Sequence, residues 1–245
     1  MHGLETAAAG KDAWQVAYWA EVLVANTGMR SGEIKKMRLA MLNLEKRRIK
    51  VTHTSTKTNA GARLVELNRA ATEAACKLYK RAQLLGASDP NHYLLPADLS
   101  RHTKSTDQLK GRPGFDPTRH QTSWRTSWRS LRKAARDRIL ERAKKENRDL
   151  TAEERDALKV FQNVRFHDLR HTFITMMAEG GVPLPVVQAM VGHMSARMVR
   201  YYTHISNRAA RTAVELLDST SPASFVGNFV GKSESAEESA AKLLN

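Results

Sequence analysis

The chain is short of cysteine, of carboxylates and of long apolar runs, and each shortage excludes something. Cys76 is the only cysteine among 245 residues, which rules out an internal disulfide and a thiolate metal cluster. A reducing cytoplasm fits that usage. No apolar run approaches the ~20 residues that a membrane-spanning helix needs. The N-terminal stretch around Ala7-Ala8-Ala9-Gly10 lacks the basic-then-apolar order of a secretory leader, so none is expected. Asp and Glu number 25 against 40 Lys and Arg, a net charge of +15. Solubility alone explains so large an excess poorly, and a polyanionic partner explains it better. Nucleic acid is the first such partner and a membrane surface the second. No clear carboxylate cluster stands out. What is present is a 41% hydrophobic content, enough for a sizeable core in one large domain or two small ones.

Periodicity predicts a mainly α chain with a small antiparallel β-sheet (α+β). Trp14 to Asn26 reads as an apolar helix with Asp12 as its N-cap, ended by Thr27-Gly28. Ser31 to Leu39 reads as a second helix, so Arg30 sits at a helix-to-helix junction. Arg48 to Thr54 and Ala62 to Leu67 are β-branched-rich strands joined by the turn Thr58-Asn59-Ala60-Gly61. Leu42 to Leu44 adds a short third strand. Ala70 to Leu85 is a helix, and Pro96 to Pro117 reads as a loop. Ser123 to Arg148 is a basic helix, with Trp124 and Trp128 read as core. Thr151-Ala152-Glu153-Glu154 matches a capping box that opens another helix. Arg165 to Glu179 is stopped by Gly180-Gly181. Pro183 occupies the first turn of the next helix, ending near Gly192, and Ser195 caps one that carries Tyr201 and Tyr202.

The chemistry is concentrated in three places. Thr27-Gly28-Met29-Arg30-Ser31-Gly32-Glu33 lies early in the chain. His167-Asp168-Leu169-Arg170-His171 follows, and then Gly192-His193 with Tyr201-Tyr202-Thr203-His204. His167, Arg170 and His171 share one helical face at i, i+3 and i+4. A guanidinium is planar, permanently charged and able to hold two phosphate oxygens at once. Alone, H-x-x-R is compatible with a surface helix. Together, two arginines, two histidines and a tyrosine suggest a phosphodiester pocket with a phenol poised to attack.

Taken in this order, the motifs resemble the tyrosine recombinase (phage integrase) family over roughly Ala13 to Ala213. The resemblance implies that family's catalytic-domain fold over residues 1–218. It also implies that Arg30 and Arg170 bind the scissile phosphate. Fixed cations facing the developing charge are each worth on the order of 3 kcal/mol, by analogy with lost oxyanion-hole donors. No metal or other cofactor is then required. Lys57, on the hairpin, is implied as the general acid for the departing 5′ oxygen, a role typically worth about 10²–10⁴-fold; Lys50 is the fallback. His167 is implied to handle the tyrosine proton, and His193 to hydrogen-bond the phosphate. Tyr202 is the implied nucleophile, with the cationic pocket favouring its phenolate. Consecutive helical residues diverge by about 100°, so Tyr201 is assigned to packing or a neighbouring contact. His171 is given a packing role, and Glu33 one of orienting nearby basic groups.

The expected activity is cleavage and rejoining of double-stranded DNA through a 3′-phosphotyrosine link, without ATP, by a tetramer on two sites in the cytoplasm. A type IB topoisomerase and a catalytically silent DNA-binding remnant of a mobile element are the alternatives; a general RNA-binding protein has only charge behind it. The Arg30 motif arrives almost at once, so the N-terminal core-binding domain is expected to be absent. Residues from about 139 to 160 read as a basic helical insert. From Arg119 to Arg148 there are eleven Lys/Arg and three Asp/Glu, and 11 − 3 gives +8. Phosphate contact, for example by Arg132, Lys133 and Arg136, and a plain solvated surface weigh equally there. Residues 219–245 are expected to be a mobile tail or to dock on a neighbouring protomer through Phe225, Val226, Phe229 and Val230.

Overall fold

The computed structural model describes residues 2–9, 12–52, 62–99, 114–203 and 214. Its elements follow the order α1 (His2–Ala8), α2 (Asp12–Thr27), α3 (Ser31–Lys35), a 3₁₀ turn (Leu39–Met41), β1 (Leu42–Asn43), β2 (Arg48–Val51), β3 (Arg63–Glu66), α4 (Arg69–Leu84), β4 (Pro96–Asp98), β5 (Phe115–His120), α5 (Arg125–Lys145), α6 (Ala152–Asn163), α7 (Phe166–Glu179) and α8 (Leu184–Val191). Residues 196–203 are helical as well. The fold is therefore mainly α with small antiparallel sheets, as the periodicity predicts. Among the described residues no helix is long and apolar enough to cross a membrane.

Helix α2 is the hub. It packs against α1, α4, α5 and α7, and Val16, Ala17, Ala20, Leu23 and Val24 are all buried. Its near-continuous apolar sequence follows from that position, because a helix surrounded by others has no face left for water. From the N-cap of α5 inward, Trp124, Trp128, Leu131 and Ala135 recur at spacings of four, three and four, and all are buried. The two tryptophans are core, as their spacing predicts. The basic residues occupy the remaining faces, so the charge of α5 lies on its surface.

Strands β1, β2 and β3 form one antiparallel sheet in that order, with Ile49 opposite both Leu42 and Val65. Alternation turns Ile49 and Val51 inward on β2 and leaves Arg48 and Lys50 exposed. Two expectations change. Pro96 to Pro117 does not read through as a loop: β4 and β5 pair antiparallel across it. That pairing joins polar segments and carries no local apolar period. The second helix also stops early, at Lys35. Beyond it the amides of Leu39 and Ala40 donate to the carbonyls of His92 and Pro90, and the amide of Leu94 donates to Met37. Those partners replace the helical ones.

The basic helix pair is partly explained by its own packing. Arg132 Nη1 donates to the carbonyls of Phe161 and Gln162, both at 3.1 Å, at the C-terminal end of α6. A cation there satisfies orphan carbonyls and the helix dipole. Lys133 pairs with Asp137 at 2.9 Å, an exposed pair of small energetic weight. Arg132 is thus a cap for α6, a role that charge counting does not reveal. Thr151 and Glu154 form the reciprocal capping box that opens α6. The tail at 219–245, with Phe225, Val226, Phe229 and Val230, lies outside the described residues.

One buried carboxyl group in α2 leaves an oxygen without a hydrogen bond among the described residues. Glu21 is 2% exposed, and its Oε2 lacks a hydrogen bond among the described residues. Burial pushes its carboxyl up to about 8, against a smaller opposing pull from the N-terminal ammonium. The folded chain therefore takes up a proton that the unfolded chain releases above its ordinary carboxyl range. Stability falls as pH rises through that interval and levels off beyond the raised value. Glu21→Gln is expected to match the parent near pH 5 and to exceed it by on the order of 3 kcal/mol by pH 8. Urea midpoints at the two pH values check this. An equal pH dependence in both proteins would show that Glu21 is ionised in the fold.

Candidate active site

The junction after α2 sets the first arginine. The Gly28 amide still donates to the Val24 carbonyl at 2.9 Å, and Gly28 then turns the chain with φ +63°. A Cβ there would lie 2.5 Å from Phe173 Cδ1 and 2.7 Å from Val191 Cγ1, so only glycine fits the approach of α7 and α8. Arg30 follows in an extended conformation as the N-cap of α3. Its amide donates to Glu33 Oε2 at 2.8 Å, and its Nη1 to Glu33 Oε1 at 3.2 Å. Its Nη2 donates to the backbone carbonyl of His193.

Arg170 reaches the same oxygen from α7. It is 2% exposed. Its Nη1 donates to the carbonyls of Gly28 and of Val191 (2.9 Å to the latter), and its Nη2 to the His193 carbonyl at 3.4 Å. Arg30, Arg170 and His193 are thus brought together, with both guanidiniums turned to one oxygen. Burial, then the charge of Arg30, pulls Arg170 down to about 10, and it remains a cation at neutral pH. The His193 ring is exposed, and among the described hydrogen bonds it is the His193 backbone that meets the arginines.

Tyr202 is 1% exposed and belongs to a small core with Phe173, Ile174, Val187, Val191 and Met194. Tyr201 is 63% exposed, its ring edge-on to that of Tyr202. The inward residue of the pair is therefore Tyr202. Its Oη lies 3.0 Å from His171 Nδ1 and 3.4 Å from the His171 carbonyl. Burial raises the phenol above its ordinary value, and the hydrogen bond with Thr175 and the Arg170 charge act only in the opposite direction. The expected preference for phenolate thus does not hold in this buried seat. His167 lies on the first turn of α7, edge-on to His171 with ring centroids 4.8 Å apart. Partial desolvation, then the charges of His171 and Arg170, hold His167 below its ordinary range, so it is neutral and basic at pH 7. The packing role assigned to His171 is incomplete, because it is the histidine in contact with Tyr202. Lys57 lies outside the described residues.

Arg63 is the charged residue that motif reading misses. It is 7% exposed in its side chain, on β3. Its Nη1 and Nη2 meet Glu33 Oε1 and Oε2 at 3.1 and 2.9 Å, and its Nε donates to the Met190 carbonyl at 2.7 Å. The signal was present in the alternation: Arg63 is in phase with buried Val65 and Leu67. Burial by itself would raise the Glu33 carboxyl; Arg63 first, then Arg30, more than offsets that and holds it below the usual carboxylate range. Beside His167, a cleft of about 510 Å³ is lined by Lys35, Arg125, Arg129, Arg132 and Arg165, with no carboxylate among the described residues of its wall.

A sequence model of the phage integrase family matches residues 6–208. The integrase of Salmonella phage P22 is 47% identical over 45 residues, 18% of this chain and 12% of that protein. Tyrosine recombinase XerC of Pelobacter propionicus is 43% identical over 49 residues, 20% of this chain and 16% of that protein. A solved structure of the Tn1549 transposon integrase in complex with transposon right-end DNA aligns with a TM-score of 0.51 at 19% identity. That alignment covers 87% of this chain and 63% of the integrase chain, and the likeness is one of fold. The matches therefore span less than two thirds of these relatives' own lengths.

Gly28→Ala is expected to lower stability by about 2–4 kcal/mol, since it combines a positive φ with two side-chain overlaps. Gly32→Ala, which meets open space in α3, is expected to be neutral or to stabilise by up to about 1 kcal/mol. Thermal unfolding of the two variants checks the contrast. Equal effects would remove the claim that the α2–α3 junction depends on glycine.

Proposed function

Because the chain belongs to the phage integrase family, we propose that it cleaves and rejoins double-stranded DNA by transesterification at this site. The observation that carries the reading is the meeting of Arg30 and Arg170 on a single oxygen, from residues 140 positions apart in sequence. The His193 carbonyl now occupies that focus. A non-bridging phosphate oxygen is the natural substitute, being anionic and able to accept from both guanidiniums. The basic cleft beside His167, whose described wall holds no carboxylate, supports a polyanionic chain running past the same place.

In this mechanism Tyr202 Oη attacks phosphorus, and the bond from phosphorus to the 5′ oxygen breaks. The products are a 3′-phosphotyrosine link and a 5′ hydroxyl. The phenol proton passes to the histidine pair, His171 being the one in contact and His167 the neutral base beside it. Lys57 is assigned the proton delivered to the departing 5′ oxygen. Charge that builds on the phosphoryl oxygens faces Arg30 and Arg170. Tyr202 is buried against His171, and a shift of residues 196–203 that opens this seat is proposed to present it to the phosphate. Attack by a 5′ hydroxyl on the phosphotyrosine reverses every step and reseals the strand. Use of the chemistry on two duplexes, by a tetramer, gives strand exchange.

A nicked, suicide-type duplex tests this, with the covalent adduct read on denaturing gels and the linked residue mapped. Tyr202→Phe is expected to abolish the adduct and leave DNA affinity within about threefold, whereas Tyr201→Phe retains the adduct. Loss in Tyr201→Phe with retention in Tyr202→Phe would reverse the assignment. Relaxation of supercoiled DNA without site preference would redirect the reading to a topoisomerase. With His167 held below its ordinary range, the adduct rate should stay flat down to about pH 6.5 and fall below it. A rate that already falls between pH 8 and 7 would exclude His167 as the base.

A further inference from the structure

We propose that Arg63 is a positioning residue for cleavage: through the Glu33 carboxylate it aims the Arg30 guanidinium, and through the Met190 carbonyl it ties β3 to the His193 segment. This rests on the reading that Arg30 holds the scissile phosphate. Arg63 commits all three guanidinium nitrogens to these tasks, two on Glu33 and one on Met190. Glu33 in turn is saturated, with each oxygen accepting from both Arg63 and Arg30. Arg30 is left with one terminal nitrogen turned to the His193 carbonyl. Its direction is therefore set by a carboxylate whose own direction is set by Arg63.

The loop after α8 is fitted to the same side chain. Gly192 has φ +78°, and a Cβ there would stand 3.0 Å from Arg63 Nη1. One planar fork thus braces the segment that carries His193 as well as the residue that carries Arg30. A planar fork matters, because a lysine at this position keeps the charge and loses the bidentate geometry. Space filling alone does not call for such a residue, since an apolar pair of similar volume often serves a buried site as well.

Glu33 is faced by Arg63 from β3, by Arg30 at the head of α3 and by Arg170 from α7. With Arg63 removed, burial acts on Glu33 with less opposition. Its carboxyl then protonates at a higher pH and lets go of Arg30. This gives a signature that a merely structural residue would not produce.

The test compares Arg63→Lys, Arg63→Met and Arg63→Met/Glu33→Gln with the parent. Three quantities are measured: single-turnover adduct formation on a mapped suicide duplex, affinity for that duplex, and the ¹⁵Nε signal of Arg30. Arg63→Lys is expected to keep its fold and bind DNA within about threefold, while adduct formation slows about 10- to 100-fold, as small misplacements of catalytic groups do. Arg63→Met is expected to move the acid limb of the rate to higher pH than in the parent, because Glu33 loses the partner that holds its carboxyl low. The double variant is expected to lose that displacement and stay slow. In all three the Arg30 signal is expected to show faster side-chain rotation. Parent-like adduct rates and a parent-like Arg30 signal in Arg63→Lys would overturn the proposal. If the parent itself forms no adduct, the functional reading fails, and the Arg30 signal still decides whether Arg63 aims it. If Arg63→Met does not fold, Arg63→Lys and the double variant carry the same decision.

Discussion

Guanidiniums repel one another, and among the described residues one buried carboxylate and a few carbonyls hold Arg30, Arg63 and Arg170 together. Glu33 supplies the sole carboxylate that the described contacts give this group. The carbonyls of Gly28, Val191 and His193 take Arg170, and that of Met190 takes Arg63. Each of those carbonyls lies at a place where regular helix has ended or is ending. A helix terminus leaves carbonyls unsatisfied, and a buried arginine satisfies them. The cations and the chain breaks therefore require each other.

That mutual requirement explains why the glycines lie where they do. Gly28 and Gly192 both take positive φ, and both bring backbone close to a neighbour that a Cβ would meet. The arginines need carbonyls turned inward, and inward carbonyls need sharp turns. The larger core, built around α2, fixes the first of these turns. The smaller core of α7, α8 and residues 196–203 fixes the second. Tyr202 is a structural member of that smaller core, so the hydroxyl proposed for attack is stored by the packing that positions Arg170.

Much of the site was legible along the chain because its parts sit in local signals. Thr27-Gly28 marks a helix end, so Arg30 at a junction followed directly. The i, i+3, i+4 spacing placed His167, Arg170 and His171 on one face. Other features were not legible. Arg63 looks like an ordinary strand cation until alternation is set beside its neighbours Val65 and Leu67. Arg132 adds to a charge count, yet its work is to close α6. The β4–β5 pairing joins segments about twenty residues apart with no apolar period to announce it. Long-range hydrogen bonding decided each case, and it leaves little trace in local composition.

By itself the sequence determined most element types outside the β4–β5 pair, the buried stripe of α5, the family resemblance and the candidate reactive side chains, since these follow from spacing and side-chain chemistry. Only the tertiary structure decided where those side chains point. It turned Tyr202 inward to His171 and raised its phenol by burial. It also made a backbone carbonyl of His193, and not its ring, the meeting point of Arg30 and Arg170. Direction and burial depend on contacts between elements far apart in the chain, which spacing does not encode.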